Sequence, residues 1–142
     1  MATILVINGP NLQLLGSRET DIYGKEDLDS IMSRLKQQFP GNEIEDLCTN
    51  DEGAIVSALH EATGRVIGVV LNAGGYSHTS VAIRDAIAAV EVPVIEVHLS
   101  NLLAREPFRH VSLIGGVCAG CIMGFGPQGY SLAVRALLDR KV

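Results

Sequence analysis

The sequence predicts an α/β fold in which helices cover both faces of a five-stranded parallel sheet. Along the chain, short β-branched apolar runs alternate with amphipathic segments, the pattern of repeated strand–helix–strand units. The 142 residues fit one domain, residues 1–142, and 47% apolar content is ample for its core. Only 19% of residues are charged, which argues against disorder.

The first half of the chain contains three predicted strands and two predicted helices. Apolar residues recur at helical spacing up to Phe39, where Pro40 and Gly41 end the first helix. Gly64 follows the end of the second helix. The predicted strands are residues 3–8 (TILVIN), 43–49 (EIEDLCT) and 66–72 (VIGVVLN), and the predicted helices are residues 26–39 and 51 or 52 to 62.

The second half of the chain continues the alternation, with one irregular stretch. A helix over residues 80–90 begins after Thr79 or Ser80 as its N-cap, and a strand over 94–98 follows Pro93. Residues 99–116 have no clear period and leave room for a short helix. A fifth strand over 117–123 and a final helix over 129–140 complete the chain. Five strands in this length suggest the flavodoxin-like, doubly wound order 2-1-3-4-5.

The strand order predicts where a ligand binds. In such sheets, ligands bind outside the carboxyl ends of the strands, here next to strands 1 and 3. Polar residues follow the strands that end at Asn8, Asn72 and His98. These three strand ends are therefore the predicted site.

Charge and hydropathy exclude several classes of partner. The net charge is −5 and no basic block occurs, which argues against nucleic acid or an anionic membrane as partner.

No run of 18 apolar residues or signal-peptide pattern is found, so we expect a cytoplasmic protein. Three cysteines are too few for a disulfide scaffold.

A long loop follows the first strand and carries the first candidate residues. Gly16 and Gly24 bracket Arg18 and Tyr23 within it, and loops of this length in compact domains are usually functional. The glycines are suited to act as hinges of a lid. The alternative is an ordinary solvated loop with a packed tyrosine. The loop is not a phosphate-binding P-loop, because no Gly-Lys-Ser/Thr follows.

A second candidate segment runs from the third strand into the next helix. Asn72 ends the strand, and His78 lies just before the helix N-terminus, which favours anions such as a carboxylate. The alternative is a tight turn with its cap. Asp85 lies on the helix itself, where it either faces solvent or reaches an adjacent subunit.

The fourth strand and the irregular stretch after it supply further candidates. Glu96 and His98 alternate onto one face, so the carboxylate can hold the imidazole; the alternative is a solvated pair at the strand end. Arg105 and Arg109 suit a carboxylate ligand or acids of another chain, and otherwise form surface pairs.

Other residues are assigned no catalytic role. Cys118 and Cys121 form a C-x-x-C in an apolar stretch without basic neighbours or further zinc ligands, and we interpret them as small core residues. His60 is expected at the surface of the second helix. The three lysines, Lys25, Lys36 and Lys141, lie outside apolar strands, which argues against a Schiff-base mechanism. No metal cluster or dinucleotide fingerprint occurs, so neither a metal nor a cofactor is predicted.

Together these segments closely resemble the type II 3-dehydroquinate dehydratases, or type II dehydroquinases. The resemblance covers nearly the whole chain, and its motifs are separated and in the right order. They are NGPNL (8–12), LGSRE (15–19), YG (23–24), LNAGGYSHTSVAIRDA (71–86), EVHLSN (96–101), REPFRH (105–110), GFG (124–126) and GY (129–130).

The resemblance implies dehydration of 3-dehydroquinate to 3-dehydroshikimate in the shikimate pathway, through an enolate and without a cofactor. It implies that Tyr23 is the base for the C2 proton and that His98 protonates the leaving C1 hydroxyl. Arg18 would support the tyrosinate from the lid, and Asn72 would hold a water or donor at the enolate oxygen. One arginine at about 4 Å contributes on the order of 4 kcal/mol at an effective dielectric of ~20.

The resemblance also implies substrate contacts and an assembly. Asn72, His78, the backbone of Leu99 and Ser100, and Arg109 would bind substrate hydroxyls and carboxylate. Asp85 would enter a neighbouring subunit's site within a homododecamer, a tetramer of trimers. The chain differs from the usual family pattern at three positions, Gln13, Thr20 and Asp51. None of these three residues has a proposed catalytic role.

Two functions of other classes fit the same residues. One is a flavodoxin-like module that binds a small anion without catalysis, in which Tyr23 would be dispensable. Flavin itself is disfavoured, because the chain has no Trp and few aromatic residues near the switch point. The other is a structural protein that keeps the fold and the assembly but not the activity.

Overall fold

A computed structural model describes residues 1–140. Its five parallel strands form one sheet in the order β2-β1-β3-β4-β5, so the predicted fold class and strand order are confirmed. The predicted domain, residues 1–142, includes residues 141 and 142, which lie outside the described part. The strands are β1 (Thr3–Asn8), β2 (Glu43–Cys48), β3 (Gly68–Asn72), β4 (Val94–His98) and β5 (Gly120–Met123), and the helices are α1 (Thr20–Tyr23), α2 (Leu28–Gln38), α3 (Glu52–Ala62), α4 (Val81–Ala89) and α5 (Gln128–Asp139).

Two apolar layers hold the helices against opposite faces of the sheet. Successive strand residues point to opposite faces, so Val6 and Ile7 of β1 enter different layers. The first layer includes Leu35 of α2 and Val134 of α5, and the second includes Leu59 of α3 with residues of α4. β1, β3 and β4 are buried almost throughout, as expected for the middle of a sheet covered on both faces.

The helix boundaries move by one or two residues from the predicted ones, and capping side chains set the starts of α2 and α4. Asp27 caps α2 by accepting a hydrogen bond from the Ser30 N–H at 2.8 Å, so residues 26 and 27 precede the helix. Ser80, one of the two predicted caps, begins α4 by accepting from the Ile83 N–H at 2.9 Å. The last helix begins at Gln128 and ends at Asp139, one residue earlier at each end than predicted.

Three strands are shorter than the hydrophobic runs that predicted them. The Val66 N–H donates to the Ala62 carbonyl at 3.1 Å, which closes the end of α3, and β3 therefore starts at Gly68. Gly115–Val117 forms a 3-10 turn, so pairing of β5 with β4 begins only at Gly120. β2 ends at Cys48, one residue early.

The two irregular stretches contain short helical turns. The long loop after β1 contains a 3-10 turn, Leu12–Leu14, and the unpredicted helix α1. Gly16 and Gly24 have φ values of 91° and 85°, a left-handed region that favours glycine. The stretch after β4 contains 3-10 turns at Leu102–Ala104 and Pro107–Arg109. Within residues 1–140, none of the helices has the length and apolarity needed to cross a membrane.

Candidate active site

A pocket lies where β1, β3 and β4 end, the place predicted by the strand order. Parallel strands bring their carboxyl ends to one edge of the sheet, and the loops that follow supply the walls. Eight of the ten predicted site residues line this pocket; Glu96 and Asp85 do not. The eight are Arg18, Tyr23, Asn72, His78, His98, Leu99, Ser100 and Arg109.

Tyr23 lies half-buried at the end of α1 with its hydroxyl on an arginine. Arg105 donates from Nη1 to the Tyr23 hydroxyl oxygen at 2.7 Å. The Arg105 guanidinium carbon is also 5.1 Å from the centre of the tyrosine ring, and that of Arg18 is 4.8 Å from it. Two positive charges therefore lie against this ring.

The two arginines are held differently. The Arg105 side chain is only 10% exposed and also donates to Ser100 Oγ at 3.3 Å. Arg18 belongs to the long loop and pairs with Glu19 at 2.9 Å, and it contacts the tyrosine ring rather than its hydroxyl. Glu19 itself has a φ of 37°, an unusual value for a residue other than glycine. Arg105 is thus the better fixed of the two.

Sequence reasoning selected both Arg105 and Arg109 as carboxylate-binding candidates but assigned a substrate role only to Arg109. Arg109 lines the pocket and donates from Nε to Glu106 at 3.2 Å. The contact that sequence reasoning missed, Arg105 on Tyr23, joins residues 82 positions apart, which a local pattern does not reveal. Its one sequence signal was the pair of arginines in REPFR.

Glu96 and His98 form a buried pair at the end of β4. Glu96 is fully buried and His98 is 5% exposed, so the alternative of a solvated pair is wrong. His98 Nε2 contacts a Glu96 carboxylate oxygen, and Ser112 Oγ donates to both carboxylate oxygens at 3.0 and 2.8 Å. Ser112 Oγ in turn accepts from the Gly115 N–H at 3.0 Å. These contacts fix the carboxylate, and through it the imidazole.

The pair also has a defined charge state. Burial alone would raise the pKa of the Glu96 carboxyl, but hydrogen bonds from His98 and Ser112 and the charge of His98 outweigh it. The net effect holds the pKa of Glu96 below its usual range. An ionised carboxylate accepts from Nε2–H and leaves Nδ1 as the ring atom that can exchange a proton with a ligand.

Asn72 is fixed by contacts on both sides of its amide. Its Oδ1 accepts from the Gly74 N–H at 3.3 Å and its Nδ2 donates to the Tyr130 hydroxyl at 3.1 Å. Tyr130 donates to Asn8 Oδ1 at 2.5 Å. Sequence reasoning assigned Tyr130 no role, and its only signal was the GY motif at residues 129–130. The second Nδ2 hydrogen of Asn72 remains for a ligand.

His78 lies beside His98 with its tautomer set by the backbone. The two rings are stacked with centroids 6.1 Å apart. His78 Nδ1 contacts the Val111 carbonyl at 2.8 Å, and because a carbonyl only accepts, this nitrogen carries the hydrogen. Nε2 is thus the nitrogen available to a ligand.

Asp85 lies outside this pocket, exposed on α4. Within its own chain it makes no contribution to the site. Its exposure agrees with both alternatives weighed from the sequence, a solvated face or contact with an adjacent subunit.

The lysines are placed away from the pocket. Lys25 is exposed and Lys36 donates to Asp46 at 2.6 Å, and Lys141 lies outside the described residues. His60 is exposed, as predicted. Neither described lysine lines the site.

The interpretation of the C-x-x-C cysteines as core residues is wrong for Cys121, which is exposed, and Cys118 is only partly buried. Both lie on or just before β5, an edge strand whose residues are less covered than those of β4. Although Cys121 is exposed as a residue, both sulfur atoms are partly buried, and this partial burial raises the pKa of each thiol to about 12, with Glu96 contributing. Cys121 lies beside the pair described above: the ligand atoms of Glu96, His98 and Cys121 are within 4.8 Å of one another.

Comparison with known proteins points to one family. A family model described as dehydroquinase class II matches residues 2–138. A 3-dehydroquinate dehydratase of Ruegeria pomeroyi is 54% identical over 139 residues, which cover 96% of this chain and 93% of that protein. The crystal structure of a type II dehydroquinase from Butyrivibrio crossotus superimposes with a TM-score of 0.95 at 44% identity, covering 97% of this chain and 98% of that one.

Proposed function

The chain belongs to the class II dehydroquinase family, and from this premise we propose that it eliminates water from 3-dehydroquinate to give 3-dehydroshikimate. The observation that carries the proposal is the contact of Arg105 with the Tyr23 hydroxyl at 2.7 Å, in the pocket that His98 also lines. A candidate base and a candidate acid, each with a polarising partner, face one cavity.

In the first step, Tyr23 acts as the base. Its phenolate oxygen takes the proton from C2, next to the ketone, and an enolate forms. Arg105 supports this role because it stabilises negative charge on the oxygen directly, and Arg18 adds a second charge over the ring. General base catalysis of this kind contributes about 10²–10⁴-fold to a rate.

In the second step, the enolate collapses and the C1 hydroxyl leaves as water. His98 gives the departing oxygen a proton, while Glu96 stabilises the charged imidazole and Ser112 fixes Glu96. Asn72 offers an N–H donor to the enolate oxygen, directly or through a water. Since Asn72 is already held by Gly74 and Tyr130, it needs little reorganisation as the charge develops.

The remaining predicted residues bind the substrate and join subunits. His78, the backbone of Leu99 and Ser100, and Arg109 would contact its hydroxyls and carboxylate, and all four line the pocket. Asp85 would reach a neighbour's site in a homododecamer built of four trimers. The enzyme would act as a single catalytic domain in the shikimate pathway of the cytoplasm, without a cofactor.

One assay tests the activity. The protein is mixed with 3-dehydroquinate at neutral pH, and the conjugated enone-carboxylate product is followed by ultraviolet absorbance. We expect absorbance to rise in proportion to enzyme concentration. The absence of any rise between pH 6 and 9 would leave the non-catalytic binding or structural functions instead.

A second assay separates this mechanism from a lysine imine. Borohydride reduces an imine to a stable amine and so inactivates an enzyme that forms one. We expect activity to survive borohydride added together with substrate, because Lys25 and Lys36 lie away from the pocket. Inactivation that requires substrate would contradict a tyrosine base.

A further inference from the structure

Cys121 lies against the Glu96–His98 pair, and the reaction does not use it. In the parallel register of β4 and β5, Cys121 is the direct partner of Glu96. Three atoms of the kinds that bind metals, a carboxylate oxygen, an imidazole nitrogen and a sulfur, lie within 4.8 Å of one another.

We propose that Glu96, His98 and Cys121 form a binding site for a thiophilic divalent cation such as Zn²⁺ or Cd²⁺, and that a cation bound there inhibits the enzyme. Thiolate, imidazole and carboxylate are the ligands that zinc takes in proteins, at about 2.0–2.3 Å. Three protein ligands leave the fourth tetrahedral position to water. The inhibition rests on the proposed function, whereas the binding of the cation does not.

The geometry requires only small movements. Bonds of about 2.0–2.3 Å place tetrahedral ligand atoms roughly 3.5 Å apart, and the three atoms are already within 4.8 Å of one another. The cation takes the place of the Nε2 proton of His98, which moves to Nδ1 or to solvent, so this hydrogen-bonded pair must open slightly. The Cys121 thiol loses its proton to solvent as the cation binds.

Accessibility and ligand chemistry decide which cations bind. Cys121 is exposed on the edge strand, so a cation reaches the cluster without unfolding the core. A sulfur ligand and low coordination number favour Zn²⁺ and Cd²⁺, whereas Mg²⁺ requires near-octahedral oxygen coordination. Occupancy makes His98 a poorer acid, because a cation on Nε2 neutralises Glu96 and prevents the ring from becoming the doubly protonated imidazolium that gives a proton from Nδ1.

The binding itself is tested with Cd²⁺ on the full chain, in a Cys48→Ser background that removes the other exposed thiol. The ultraviolet charge-transfer band of thiolate-bound Cd²⁺ reports a sulfur ligand directly. We expect the band to saturate at one equivalent, to persist in Cys118→Val and to be lost in Cys121→Val. A band that persists in Cys121→Val, or is absent from the parent protein, would overturn the proposal.

The inhibition is tested with Zn²⁺ in the dehydration assay, each variant being compared with its own cation-free rate. We expect Zn²⁺ but not Mg²⁺ to inhibit, and Cys121→Val to need at least roughly 10-fold more Zn²⁺ than Cys118→Val. Equal sensitivity of the two variants would overturn the inhibitory role. If no variant turned over 3-dehydroquinate, the proposed function would fail, and the Cd²⁺ band would still decide whether the site exists.

Discussion

Two tyrosines lie at the candidate site in opposite surroundings. Tyr130, on α5, is fully buried and donates to Asn8 at 2.5 Å while accepting from Asn72 at 3.1 Å. Burial raises the pKa of Tyr130 well above its ordinary range, so it stays a proton donor. Tyr23, on the long loop, is half-buried and lies between Arg18 and Arg105. The same side chain is thus a structural donor in one place and a candidate base in the other.

The difference shows that the neighbours decide the role. Amide groups around Tyr130 are neutral and leave its hydroxyl protonated, whereas guanidinium groups around Tyr23 stabilise a negative oxygen. The location matters as well, because a core residue is fixed by packing and a loop residue meets ligands. Substitutions at each position can break or sharpen this contrast.

The largest expected effect is that of Tyr23→Phe. Loss of the base should lower kcat by about 10³-fold, within the usual range for a general base. Substrate affinity, measured by calorimetry, should change little, because the ring and both arginines remain. A Tyr23→Phe protein that keeps more than a tenth of wild-type kcat would remove Tyr23 from the base role.

Arg105→Gln should have the next largest effect. It removes the positive charge 2.7 Å from the Tyr23 hydroxyl and should lower kcat by about 10²-fold at neutral pH. Arg105→Lys is the matched control and should retain more activity than Arg105→Gln. An Arg105→Gln protein that keeps the wild-type kcat would contradict the proposed support.

Tyr130→Phe should act on stability before it acts on chemistry. The variant leaves Asn8 Oδ1 without its donor in the core, which should cost about 1–3 kcal/mol of unfolding free energy. Urea denaturation measures this loss, and Tyr23→Phe serves as the comparison, with a smaller expected change because Tyr23 is only half-buried and Arg105 Nη1 keeps Ser100 Oγ as an acceptor. The contrast between the two tyrosines would be wrong if Tyr23→Phe were the more destabilised.

The smallest effect concerns the pH dependence of stability at Glu96. Because its pKa is lower in the folded chain, the ionised carboxylate stabilises the fold above about pH 4.3 and loses this contribution as the pH falls further. The wild type should therefore lose its advantage in unfolding free energy over Glu96→Gln as the pH is lowered. A difference that stays constant or grows between pH 5 and pH 3 would mean that burial outweighs the hydrogen bonds.

The fold was predictable because apolar periodicity is a local signal. The run VVLN at the end of β3 and the spacing around Leu35 in α2 are visible in the sequence. The helix boundaries depend on single hydrogen bonds, such as the one from the Ser30 N–H to the Asp27 carboxylate. The spacing of apolar residues does not reveal these bonds.

The position of the candidate site was predictable in part. The topological rule brings Asn72 and His98 to one edge of the sheet from strand order alone. Contacts between distant segments were not predictable. They include the hydrogen bond of Arg105 to Tyr23, 82 residues apart, and that of Tyr130 to Asn8, 122 residues apart. The exposure of Cys121 was missed because an apolar segment was assumed to be covered, although β5 is an edge strand.

In the proposed mechanism, Tyr23 removes the C2 proton before His98 assists loss of the hydroxyl. The most direct measurement is exchange of the C2 hydrogen of 3-dehydroquinate with deuterium oxide, followed by NMR in His98→Asn and Tyr23→Phe. We predict that His98→Asn exchanges the hydrogen while forming little product, and that Tyr23→Phe does neither. Exchange in Tyr23→Phe at the rate of His98→Asn would contradict the claim.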